Sequence, residues 1–347
     1  MRVRSNESLR GGGTGFAGLY SSREDWHGMA MHGMRIFPYD SDAMKLWPGV
    51  AARGIFTALS ILALLLCVTA PSVAQKSIPD ADLVIAKPVA DMFRAPSADS
   101  DVVSQAIYGT GVLTLERRGE WYRIRTADDY TGWVQASGVR ALAPGDPYTA
   151  EADAMHVASL SANIYREPDV TKHAPLLRLP WEARIETLPG QQRGHGRWIQ
   201  VTLVGRGTAW VQRGDVAAGF TPLSIPETLQ LARRFLGTTY TWGGVSSFGF
   251  DCSGFTQMLV RQRGIEMPRD ADVQAAWSGV TAVKREDLQP GDLLYFGSSA
   301  THITHTGMYI GNGEFIHDTT HDHPGVQISH LDDQPWTKLL VASRRIK

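Results

Sequence analysis

Trp121 and Trp133 stand twelve residues apart, and so do Trp198 and Trp210. Equal spacing of the largest apolar side chains in two separate stretches implies one hairpin geometry used twice, which few architectures can accommodate. Other landmarks repeat with them: Phe93-Arg94-Ala95-Pro96 matches Tyr165-Arg166-Glu167-Pro168, and Gly132-Trp133-Val134-Gln135 matches Ala209-Trp210-Val211-Gln212. Both stretches consist of short alternating runs broken by Gly, Pro and Asp, without a long helical period, so each reads as an all-β unit. A duplicated barrel of five or six strands is the expected form. Small barrels need large side chains inside, so these tryptophans are expected to fill the barrel interiors rather than bind a ligand. Tyr130 lies in the turn between the first pair, where a side chain can reach a ligand held by a neighbouring domain.

The chain has 347 residues, enough for two to three domains, with 34 basic and 35 acidic side chains. That balance leaves no cationic excess for a phosphate backbone, so nucleic acid is not an expected partner. Residues 55–70 form an uncharged apolar run of sixteen, short for a membrane span. Lys45 and Arg53 precede it and Ser72-Val73-Ala74 follows, the order of a secretory signal with cleavage before Gln75. Residues 44–74 are therefore read as a signal peptide begun at Met44, and 1–43 as a spurious or disordered extension; an uncleaved anchor is the alternative. The expected location is the periplasm or cell envelope, with the membrane touched only through this segment. Of the two cysteines, only Cys252 would remain after cleavage. A lone thiol in an oxidising compartment forms no internal disulfide and needs another reason to be there.

The local sequence suggests one. A helical run opens at Pro226 and stops at Gly237, and a Gly-rich loop leads through Phe250-Asp251-Cys252-Ser253-Gly254-Phe255 into a second run with Phe255, Met258 and Leu259 at helical spacing. Cys252 thus falls at a helix start, where unpaired N–H groups favour a thiolate and can receive an oxyanion. The bland alternative is a small buried hydrophobe. A thiol nucleophile needs a base, and the base an orienter. Six of the eleven histidines lie between 302 and 330 in strand-like runs, and Gly311-Asn312-Gly313 makes a tight turn that sets His305 and His317 facing one another across a hairpin. A metal is the rival use of His302, His305, His317, His321 and His323, but their spacings suit helices, and strand residues three apart point to opposite faces. Neither metal nor cofactor is expected.

These residues carry a family resemblance. The runs Tyr240-Thr241-Trp242-Gly243-Gly244, Phe250-Asp251-Cys252-Ser253-Gly254-Phe255, Met267-Pro268-Arg269-Asp270-Ala271, Leu288-Gln289-Pro290-Gly291-Asp292, His305-Thr306-Gly307-Met308 and Phe315-Ile316-His317 together resemble the NlpC-type cysteine peptidases of bacterial cell-wall metabolism, over about 226–347. Thr306 departs from the apolar residue usual there. The two β units resemble bacterial SH3-like domains. The implied organisation is α+β: SH3-like barrels at 80–145 and 152–220, then a papain-like peptidase domain at 224–347. The resemblance gives Cys252 the role of nucleophile, His305 that of general base and His317 that of orienter.

With two SH3-like modules in front, the chain most resembles the γ-D-glutamyl-L-diamino acid endopeptidases. That implies peptidoglycan stem peptides or muropeptides as partners, a free N-terminal L-Ala on the substrate, and substrate contacts from Tyr240, Asp251 and Ser253. Asp251 would take the ammonium; a helix N-cap is the alternative for it, and a structural hydroxyl for Tyr240. Rival readings are an endopeptidase or amidase acting on intact peptidoglycan, and a non-catalytic wall-binding protein.

Overall fold

The computed structural model describes residues 78, 80–146, 148, 154–188, 190–191 and 195–347. The extension and signal segment expected at 1–74 lie outside these residues.

Alternating apolar positions fold the two β units into antiparallel sheets of identical strand order. In the first, strands Val102–Ile107, Val89–Phe93, Thr131–Gln135, Trp121–Arg125, Gly111–Arg118, Leu83–Ile85 and Val139–Ala141 follow one another; Leu177–Pro180, Ser161–Tyr165, Gly207–Gln212, Trp198–Leu203, Arg184–Thr187, Ala154–Val157 and Val216–Ala218 repeat the order in the second. Each unit has seven strands, not five or six. The extra members are short strands such as Leu83–Ile85 and Val139–Ala141, three residues each and too brief to show a period in sequence.

The repeated landmarks occupy equivalent places. Phe93 pairs with Trp133, and Tyr165 with Trp210. Phe93 meets Trp121 edge to face at 5.4 Å, and Tyr165 meets Trp198 at 5.5 Å. Trp133 is buried, but Trp121, Trp198 and Trp210 are only half-buried and do not fill the interiors. Barrel one is packed by Leu83, Ile85, Met92, Val112, Ile124 and Val134, and barrel two by a similar set of aliphatic residues. Strand alternation explains the difference: Ile124 points inward, so Trp121 shares the outer face with Arg123 and Arg125.

Side chains tie the three domains together. The Tyr108 hydroxyl of barrel one accepts the Val204 N–H at 2.7 Å, and the ring is buried in the core of barrel two. Trp181 of barrel two enters the core of the C-terminal domain, and Glu182 beside it accepts from Arg261 at 2.6 and 3.0 Å and from Gln262 at 2.6 Å.

The C-terminal domain opens with helix α1 (Ile225–Arg234), started by a capping box between Ser224 and Glu227. Helix α2 (Cys252–Arg261) and short α3 (Ala271–Ala276) follow. The chain then builds a six-stranded antiparallel sheet from β1 (Val280–Ala282), β2 (Leu293–Ser299), β3 (His302–Gly311), β4 (Glu314–Thr319), β5 (Gly325–His330) and β6 (Leu340–Ile346), in spatial order β1-β6-β2-β3-β4-β5. Helix α2 is buried along nearly its whole length: Phe255, Met258 and Leu259 pack with Leu293, Tyr295, Met308 and Ile316 of the sheet, and the polar stripe of Ser253, Thr256, Gln257 and Arg261 is hydrogen-bonded on the other side. The alternate residues Leu294, Phe296 and Phe315 form a second core with Trp336 of the one-turn helix α4 (Trp336–Leu339). The result is the α+β arrangement expected for a peptidase domain behind two small β barrels.

Candidate active site

Local sequence fixes both halves of the site. Asp251 is the N-cap of α2: its backbone is extended and its carboxylate accepts the Gly254 N–H at 2.7 Å, which places Cys252 at the first helical position. The N–H groups of Cys252 and Ser253, in the first turn, have no backbone acceptor within the helix, and that of Ser253 faces the Cys252 sulfur, where negative charge would develop. On the other side, Gly311 pairs with Glu314 across Asn312-Gly313, both at positive φ, a two-residue turn that fixes the register of β3 against β4. That register brings His305 and His317 together, with Nε2 of the first 2.7 Å from Nδ1 of the second. A Cβ at Gly307 would stand 3.0 Å from the Cβ of His317 and 2.9 Å from the Phe315 ring, so only glycine lets the His317 ring settle there. Phe296 and Trp336 pack against the His305 ring at 5.7 and 5.2 Å.

The sulfur of Cys252 lies where the backbone N–H of Thr306, the residue after His305, acts on it, and the Asp251 charge reaches both Cys252 and His305. Burial pushes the thiol up to about 12, with Asp251 adding to the shift and the Thr306 N–H and Arg269 opposing it. Burial also pushes His305 down to about 3. The positive end of the helix therefore does not by itself hold a thiolate, as the sequence suggested; desolvation outweighs it and the resting pair is neutral. Each group resists ionising alone, but transfer of the thiol proton to the imidazole creates two opposite charges that stabilise one another. Such a pair suits general-base activation at the moment of attack rather than a standing ion pair.

Of the residues expected to contact substrate, Tyr240 is half-buried, and its hydroxyl feels the charges of Cys252, Asp251 and Asp318. Asp251 is already occupied. Its carboxylate accepts from Arg269 at 2.6 and 3.0 Å, from the Gly243 N–H at 3.0 Å, from Gly254 and from the Ser253 hydroxyl at 3.2 Å. The structure thus displays the N-cap alternative for Asp251, and Ser253 belongs to the same network, accepting from Arg269 at 2.7 Å. Tyr130 reaches the neighbouring domain, its hydroxyl 3.3 Å from the Asp270 carboxylate.

Comparison with known proteins decides what kind of site this is. Residues 237–345 match the NlpC/P60 family, and residues 92–139 match the bacterial dipeptidyl-peptidase SH3 domain. The chain is 30% identical over 261 residues to a gamma-D-glutamyl-L-lysine dipeptidyl-peptidase of Bacillus subtilis, covering 71% of this chain and 82% of that protein. It is 29% identical over 259 residues to the Bacillus cereus protein of the same name, covering 70% and 74%. The chain belongs to the NlpC/P60 family. A crystal structure of an NlpC/P60 family protein from Bacillus cereus shares the fold, with a TM-score of 0.66 at 23% identity over 77% of this chain and 99% of that one. This NlpC/P60 chain is a cysteine peptidase.

Several residues of this NlpC/P60 site carried no role in sequence. Arg269, buried, joins Asp251, Ser253 and the Ser104 hydroxyl of barrel one, the last at 3.2 Å. Ser329 Oγ lies 3.0 Å from His317 Nε2. Thr306 is fully buried with its hydroxyl unpartnered, as are both carboxylate oxygens of buried Asp318. Arg269 and Thr306 lie within runs that carry the family resemblance, but nothing local assigns any of these residues a role, because each acts on a partner distant in the chain or on none.

Asp318 carries a consequence for stability. Burial, followed by the Asp251 charge, pushes its carboxyl up to about 8; the Thr319 and Phe250 N–H groups, which face it, moderate the shift. Between its ordinary value near 3.8 and about 8, the folded chain holds a proton that the unfolded chain has released. Stability must therefore fall as pH rises through that window, by up to about 1.4 kcal/mol per pH unit from this residue. Asp318→Asn removes the titration. Urea unfolding from pH 5 to pH 8 should show the variant gaining on wild type as pH rises; parallel curves would refute the buried, protonated carboxyl.

Proposed function

We propose that the chain is an exported hydrolase that cuts the γ-D-glutamyl–L-diamino acid bond of peptides released from peptidoglycan, taking those with a free N-terminal L-Ala. The observation that carries this reading is the extent of the match to the two Bacillus dipeptidyl-peptidases: about 260 residues, too long for the catalytic domain alone. The contacts of barrel one agree with it. Ser104 on Arg269, Tyr130 on Asp270 and Asp128 on Gln257 at 2.9 Å set the barrel beside the helix that starts at Cys252, where it would obstruct intact strands more than short peptides. The apolar segment 55–70 supports export.

In this reaction His305 takes the thiol proton as the sulfur attacks the γ-carbonyl of D-Glu. The N–H groups at the start of α2 hold the tetrahedral oxyanion. Collapse breaks the C–N bond, and His305 gives its proton to the departing α-amine of the diamino acid. Water, deprotonated by His305, then attacks the thioester, releasing L-Ala-D-Glu and restoring the thiol. His317 keeps the His305 ring in place throughout.

Mass spectrometry of products from L-Ala-γ-D-Glu-diaminopimelate, beside the same peptide with its amine acetylated, tests the proposal. Free diaminopimelate should appear from the first, and at least about tenfold more slowly from the second. Equal cleavage of both peptides removes the free-amine requirement, and scission at L-Ala–D-Glu removes the bond assignment.

A further inference from the structure

The histidine pair does not end at His317. Its Nε2 lies 3.0 Å from Ser329 Oγ on the neighbouring strand β5, so His305, His317 and Ser329 form one hydrogen-bonded row. A row of this kind has two possible proton orders. In one, His305 Nε2–H donates to His317 Nδ1, and His317 Nε2–H donates to Ser329; His305 Nδ1 is then bare and able to accept a proton. In the other, Ser329 donates to His317 Nε2, His317 Nδ1–H donates to His305 Nε2, and His305 Nδ1 carries a hydrogen. Only the first order leaves His305 a base.

The surroundings of Ser329 select between them. His317 is fully buried, whereas Ser329 is half-buried and borders an open depression of about 530 Å³ that Asp322 and Asp333 also line, with Gln327 and Gln334 beside them. A half-buried hydroxyl with acidic side chains on its solvent side is favoured with its hydrogen turned outward, which leaves the oxygen lone pairs for His317 Nε2–H. The geometry points to Ser329 as a positioning residue that sets the tautomer of His317, and through it that of His305, in the form able to deprotonate Cys252. The inference rests on His305 being the base; it is independent of which peptide is cut.

Long-range proton–nitrogen spectra of the whole protein, labelled in its histidines, read the row directly and need no substrate. Wild type should show His305 and His317 each protonated at Nε2 and bare at Nδ1; a hydrogen on Nδ1 of either ring overturns the proposal. In Ser329→Ala both orders should become populated, kcat on the peptide should fall about tenfold with KM within about twofold, and Ser329→Thr should return both readouts towards wild type. Wild-type kcat in Ser329→Ala, or a loss that comes with unchanged tautomers, overturns it. Failure of the peptide to be cut by wild type would bear on the substrate and leave the spectra still decisive for Ser329.

Discussion

Cys252→Ala should yield a folded protein that binds the peptide and does not cleave it, with kcat down by roughly four to six orders of magnitude. The change deletes one small buried atom at a capped helix start, so its effect on stability should stay within about 1–2 kcal/mol. His305→Ala should cost nearly as much activity for a different reason. Burial pushes the thiol up to about 12, far above neutral pH, so without a base almost no thiolate forms. The two variants separate the roles by a second measurement: wild type should react with iodoacetamide at neutral pH, His305→Ala much more slowly, and Cys252→Ala not at that site. Calorimetry with the peptide on Cys252→Ala then reads binding without turnover. Cleavage by Cys252→Ala at the wild-type rate would end the assignment, and unchanged alkylation of His305→Ala would show that the sulfur ionises without imidazole.

The parts of this site visible in sequence are those set by local geometry. A glycine-rich approach followed by helical spacing of Phe255, Met258 and Leu259 places Cys252 at a helix start, and Gly311-Asn312-Gly313 closes the hairpin that carries both histidines. The two barrels are visible as a repeat, and Phe93, Tyr165 and the four tryptophans occupy matching positions in the fold. The outward position of Trp121 is also encoded, in its alternation with Arg123 and Arg125, but side-chain size points the other way, and alternation is the stronger rule in a strand. What remains hidden is long-range. Ser329 matters because β5 lies beside β4, and Arg269 because a loop crosses the start of α2 and meets a barrel 165 positions earlier in the chain. The balance between helix dipole and burial at Cys252 is hidden for the same reason, since the number of atoms around a sulfur is a property of the packed domain.

Arg269→Met should destabilise the chain by about 3–5 kcal/mol, more than any surface substitution, because it leaves Asp251 buried and charged without its partner. The guanidinium is 2% exposed and the carboxylate 10%, and their two contacts of 2.6 and 3.0 Å are side by side. Its loss also reaches the chemistry. Arg269 lowers the Cys252 thiol and Asp251 raises it, so removing the cation alone should push the thiol further up and slow alkylation. Adding Asp251→Asn to Arg269→Met removes the orphaned charge while keeping an acceptor oxygen for the Gly254 N–H. The double variant should therefore be more stable than Arg269→Met and regain part of the thiol reactivity, an interaction that a double-mutant cycle of urea midpoints and iodoacetamide rates would display. Additive effects in that cycle would mean that the pair is coupled neither to the fold of the helix start nor to the sulfur. A loss of stability with unchanged alkylation would confine the pair to a structural cap. Slower alkylation on charge removal, restored by neutralising the partner, is the signature of an electrostatic setting of the nucleophile by the residue that also starts its helix.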